Sequence, residues 1–82
     1  SFVAFFSSST TLKAAFVTSK KVGNAVNRNK ARRRMRALFA SYEKQLLVGN
    51  YIFVAKIELH NKDFLQLKKD FDFALKRLEV LT

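Results

Sequence analysis

The first carboxylate in this chain is Glu43, and nine basic side chains precede it. Eight of those nine lie between Lys20 and Arg36. The same stretch leads into Ala31, Met35, Leu38, Phe39, Tyr42 and Leu46, spaced 4, 3, 1, 3 and 4 apart, which is the period of one face of an α-helix. The pattern predicts a helix over about Ala25–Leu47 that docks an apolar stripe on a core and turns its cations outward. Asn24 or Asn27 is placed to cap its start, and Gly49-Asn50 reads as its stop signal.

Around this helix the chain alternates strand and helix signals. Phe2–Phe6 is a β-prone run closed by the polar stretch Ser7–Thr11, and Leu12–Thr18 reads as a second strand. These two are expected to pair as an antiparallel hairpin. Tyr51–Ala55 is apolar throughout, so it predicts a central strand covered on both faces. Asn61 is placed to cap a last helix, with Asp63 in its first turn and Phe64, Leu67, Phe71, Ala74, Leu75 and Leu78 on its inner face. The expected fold is a two-layer α+β domain of order β-β-α-β-α spanning residues 1–82, with a small sheet packed against helices.

Composition narrows the function. There is no Cys and one His, which excludes disulfides, thiolate metal sites and a zinc site. No apolar run approaches the roughly 20 residues of a membrane span, and the apolar start lacks a signal peptide's basic lead-in. A reducing, cytoplasmic setting is expected. No catalytic constellation can be assembled either. The carboxylates begin at Glu43, Asp70 and Asp72 diverge by about 200° on their helix, and His60 reads as a loop or capping residue.

The net charge of +10 is therefore the main clue. Residues 43–82 are nearly balanced, with seven bases and six acids, so the excess belongs to the first half. Within Arg28–Arg36 there are five Arg and one Lys. Guanidinium groups grip phosphates bidentately and stack on bases, whereas ammonium acts as a point charge. Like charges one turn apart also repel, a cost that a polyanionic partner would relieve. On a helical projection Arg32 and Arg36 stack along one edge of the apolar stripe, Asn29 and Arg33 continue round that side, and Lys30 and Arg34 lie toward the other. A strand and loop precede this helix, where a helix-turn-helix DNA reader would need a second helix. RNA fits better, through backbone contacts and through bases stacked on exposed aromatics. Along the first strand Phe2 and Phe6 face one way and Phe5 the other, so either set is open to such a strand of RNA. A structural, ribosomal-type RNA binder and a nucleoid-type DNA binder are the competing readings.

Ser19-Lys20-Lys21-Val22-Gly23-Asn24-Ala25-Val26, then Arg28-Asn29-Lys30, then Arg32-Arg33, Arg36 and Phe39, resemble the signature of the bacterial ribonuclease P protein family. That family carries S-K-K-[IV]-G-N-A-V followed by R-N-R-x-[KR]-R-x-x-R. Lys30 stands where the family has Arg, and Ala31 and Arg34 replace larger apolar residues. The family's N-terminal basic helix, ahead of the first strand, has no counterpart here, so that element is expected to be missing.

The resemblance implies a ribosomal-protein-S5-domain-2-like fold with a left-handed β-α-β crossover, against the usual hand. It implies a protein subunit of ribonuclease P, whose catalytic RNA removes the 5′ leader from precursor tRNA by Mg²⁺-assisted hydrolysis. Mg²⁺ would belong to the RNA and substrate. Arg28, Asn29, Lys30, Arg32, Arg33 and Arg36 would grip the catalytic RNA, together with Lys20 and Lys21. Phe5, Val17 and Ser19 would share the sheet face that contacts the precursor tRNA leader.

Overall fold

The computed structural model describes residues 2–19, 23–56 and 63–81, excepting the side chain of Phe2. Among the described residues three strands and two helices follow the expected order: β1 (Phe2–Ser8), β2 (Lys13–Thr18), α1 (Ala25–Tyr42), β3 (Gly49–Ala55) and α2 (Phe64–Leu78). A single 3-10 turn, Glu43–Gln45, follows α1.

The sheet order is β1-β3-β2, which corrects the expected hairpin. β3 lies between the first two strands, antiparallel to β1 and parallel to β2. The reason is backbone as well as side chain. The most apolar strand gains ladder partners along both edges and places its inward residues at the middle of the core. Helix α1 is thus the crossover between parallel strands β2 and β3.

Both helices cover one face of this sheet. β3 alternates strictly, burying Tyr51, Phe53 and Ala55 while Asn50 and Ile52 face outward. The expectation of cover on both faces is therefore wrong, and Ile52 remains 43% exposed. Phe53 stacks on Phe71 of α2 at 4.8 Å and on Phe16 of β2 at 5.7 Å, and meets Phe39 of α1 edge-on at 5.7 Å. Ala31, Met35, Leu38 and Phe39 from α1 and Leu67, Phe71 and Leu75 from α2 fill the same core. Phe64, expected on the inner face of α2, is half exposed at the first turn.

Both helices start on local caps, whereas α1 finishes where tertiary contacts take over. Asn24 caps α1 by accepting from the Asn27 backbone N–H at 2.9 Å. Asp63, expected inside the first turn of α2, is instead its N-cap and accepts from Gln66 N–H at 2.8 Å. Asn61 lies outside the described residues. Helix α1 ends at Tyr42, not Leu47. Leu46 turns extended to bridge Leu81, and Leu47 N–H donates to Val80 O at 2.8 Å. The C-terminal segment thereby claims residues that the periodicity assigns to the helix. Gly49 then begins β3, where a Cβ would come within 2.7 Å of Ser7 O and 2.5 Å of the Phe6 ring.

Two outcomes follow for stability. Phe39→Ala, a truncation inside the aromatic cluster, is expected to cost about 3–5 kcal/mol in chemical denaturation, with Phe5→Ala near neutral because Phe5 faces out. Glu79 closes α2 in the left-handed region at φ 57°, ψ 41°, where Cβ meets the following carbonyl. Glu79→Gly is therefore expected to stabilise by up to about 1 kcal/mol in the same assay.

Candidate RNA interface

The cations of α1 are sorted by the strand beside them. Helix α1 packs over β2, so the edge carrying Arg28, Arg32 and Arg36 runs along that strand. Arg32 donates to Thr18 Oγ1 at 3.0 Å and to Asn29 Oδ1. The Arg36 guanidinium lies 5.5 Å from the centre of the Phe16 ring. Arg28 donates to Gly23 O at 2.7 Å. That carbonyl is presented by a glycine at φ +128°, a backbone state other residues rarely adopt.

These three arginines therefore form one ridge of successive turns, each oriented by an uncharged partner. Among the described residues no carboxylate pairs with them, and the ridge gathers positive charge along this edge of the helix. Asn29, Lys30 and Arg33 are exposed next to the ridge, and Arg34 is half-buried. The arrangement suits a phosphate backbone: forks held in place by neutral acceptors lose little side-chain freedom on binding.

The outward face of the sheet is a second surface. The register aligns Val3, Val54 and Val17 in one row and Phe5, Ile52 and Ala15 in the next. A third row is Ser7, Asn50 and Lys13. Phe5 is 53% exposed and Val17 46% exposed. Ser19, exposed just past β2, continues the alternation of Val17. Phe6 instead turns toward the helices and packs on Tyr51 at 4.9 Å, so Phe5 is the residue of the two left open. The result is an apolar platform whose bare aromatic ring is Phe5.

The resemblance put Phe5, Val17 and Ser19 on one sheet face, and the reading missed Val3, Ile52 and Val54 as neighbours there. The signal was the alternation of β3, hidden because all five residues of Tyr51–Ala55 are apolar. Lys20, Lys21 and His60 lie outside the described residues. Among the described residues no group of three or more His, Cys, Asp or Glu comes together that could hold a metal ion. No helix there is long and apolar enough to cross a membrane.

One charged contact lies away from both surfaces. Asp72 on α2 pairs with Lys76 at 2.9 Å and accepts from the Tyr42 hydroxyl at 3.1 Å. Lys76 chiefly, with Tyr42 assisting against partial burial, holds the Asp72 carboxyl below its ordinary range. Its contribution is present above the usual carboxylate pKa and is lost as pH falls through the lowered value. Burial first, then Asp72, pushes the Tyr42 phenol up.

The fold and these two surfaces define a small basic α+β domain with a cationic helix on one layer and an open apolar sheet face on the other. The ribonuclease P family model matches residues 1–79, and the chain belongs to that family. It is 42% identical over 78 residues to the ribonuclease P protein component of Nitratiruptor sp., covering 95% of this chain and 72% of that protein. With the Listeria monocytogenes component it shares 39% over 74 residues, 89% of this chain and 62% of that one. Among solved structures, the Staphylococcus aureus RNase P protein superposes with a TM-score of 0.87 at 27% identity, over 99% of this chain and 77% of that chain. The RNase P protein from Thermotoga maritima shares the fold, with a TM-score of 0.79 at 24% identity, over 93% of this chain and 76% of that chain.

Proposed function

We propose that this chain acts as the RNA-binding protein subunit of ribonuclease P, assisting a catalytic RNA in removing the 5′ leader from precursor tRNA in the cytoplasm. The observation that carries the reading is the arginine ridge of α1, braced on β2 and flanked by Lys30 and Arg33, in a chain of this family. Arg28, Asn29, Lys30, Arg32, Arg33 and Arg36 grip the catalytic RNA through its phosphates, with Lys20 and Lys21 beside them in sequence. The sheet face with Phe5, Val17 and Ser19 takes the single-stranded leader, and Ile52 extends the stacking platform beneath it.

The protein's role is affinity and placement. Two RNAs held on opposite layers of one small domain are brought into a single complex without mutual phosphate repulsion at either surface. Cleavage needs a metal-bound water, and Mg²⁺ is supplied by the RNA and substrate in this reading. The described residues offer no carboxylate cluster that would hold it.

The deciding experiment adds the protein to a bacterial ribonuclease P RNA at low Mg²⁺ and follows 5′ cleavage of a precursor tRNA. Faster cleavage is expected; unchanged cleavage sinks the proposal in favour of a structural RNA binder. Arg32→Ala combined with Arg36→Ala should weaken binding to the catalytic RNA and reduce the slope of log affinity against log salt by up to about 2. Phe5→Ala should leave that binding intact and weaken the leader contact, read as lost preference for leader-bearing tRNA over mature tRNA. An unchanged salt slope in the double variant would place the interface elsewhere.

A further inference from the structure

The outward side of α2 carries a groove that the two surfaces above do not use. It has a volume of about 540 Å³ and is lined by Tyr42, Leu65, Lys68, Lys69, Asp72, Phe73 and Lys76. Leu65, Lys69, Phe73 and Arg77 follow one another at four-residue steps, so apolar and basic side chains alternate along a single ridge. Lys68, Asp72 and Lys76 form the ridge beside it. Leu65 is 71% exposed and Phe73 63% exposed. Isolated exposed apolar residues are ordinary, but here two share one ridge with cations between and beyond them.

The charge on this surface is one-sided. Asp72 is its single lining carboxylate and is already tied to Lys76 and Tyr42. Asp70, the other carboxylate of α2, is half-buried and does not line the groove. Lys68, Lys69 and Arg77 therefore leave an excess of positive charge around an exposed aromatic ring. The Arg77 guanidinium lies 6.0 Å from the Phe73 ring centre. A flat anionic ligand matches both features, because each nucleotide brings a phosphate and a stacking face. An acidic peptide supplies carboxylates but leaves Phe73 uncovered.

We propose that this groove is a second single-stranded RNA site, with an unpaired base stacked on Phe73 and flanking phosphates held by Lys68, Lys69 and Arg77. The choice of RNA as the polyanion rests on the function proposed above. The site is reachable from the arginine ridge. Tyr42 forms part of the groove and is six residues beyond Arg36 on the same helix, a rise of about 9 Å.

The test uses the complete chain and a short oligonucleotide of 5-bromouridine at fixed low salt. Photocrosslinking followed by peptide mapping is carried out on the unsubstituted chain and on a variant carrying Phe5→Ala, Arg32→Ala and Arg36→Ala. That variant removes side chains from both surfaces assigned above. Adducts at Phe73 are expected in both proteins. Adding Lys69→Glu and Phe73→Ala should lower the remaining affinity by about tenfold or more, with circular dichroism unchanged because both side chains are exposed. Adducts confined to other segments, or an unaltered affinity, would overturn the proposal. So would displacement by poly-L-glutamate as effective as by unlabelled oligonucleotide with Phe73→Ala silent, which marks a docking surface for acidic protein. Failure of the precursor tRNA assay leaves this crosslinking result readable, since the two report on different surfaces.

Discussion

The stacking of Phe53 at the centre of β3 is the contact on which the architecture depends. Its ring meets Phe16, Phe39 and Phe71, one residue each from β2, α1 and α2. An 82-residue chain buries a modest share of its surface, so it can support one core and little more. Large aromatic side chains concentrate that burial in few residues and fix relative orientation through ring geometry. Tyr51 extends the cluster toward Phe6 and Phe39, and its hydroxyl donates to Leu47 O at 2.6 Å, tying the connection after α1 to the sheet.

Placing both helices on one side of the sheet has a direct functional consequence. Two helices and three strands can bury only one sheet face, so the other meets solvent with Val3, Phe5, Val17 and Ile52 on it. Those residues are apolar without being core. Meanwhile the same docking that buries the stripe of α1 turns its guanidinium groups along β2 and outward. The fold thus produces an apolar surface and a cationic one from a single packing decision, on opposite layers of the molecule.

The arginine ridge also shows why strand and helix must be considered together. Periodicity alone assigns Arg32 and Arg36 to the edge of the stripe, and this is where they lie. It cannot supply their partners. Thr18 and Phe16 reach them only because β2 is the edge strand under α1, and Asn29 joins because it sits one turn before Arg32. Neutral partners orient these side chains without cancelling their charge, whereas carboxylates would have done both.

What could be read directly from the sequence were the properties carried by near neighbours: the order of elements, an asparagine cap at 24 or 27, the stripe Ala31-Met35-Leu38-Phe39, the one-sided charge, and the motif spacing from Ser19 to Phe39. Each depends on residues within a turn or two of one another. Tertiary structure alone decided the position of β3 between β1 and β2, the exposure of Ile52, and the end of α1 at Tyr42. A uniformly apolar strand has no pattern to say which face is covered, and strand order follows from which arrangement satisfies β3's backbone on both edges. Likewise Leu46 and Leu47 obey helical spacing but gain more from Leu81 and Val80, residues over thirty positions away that no local reading weighs.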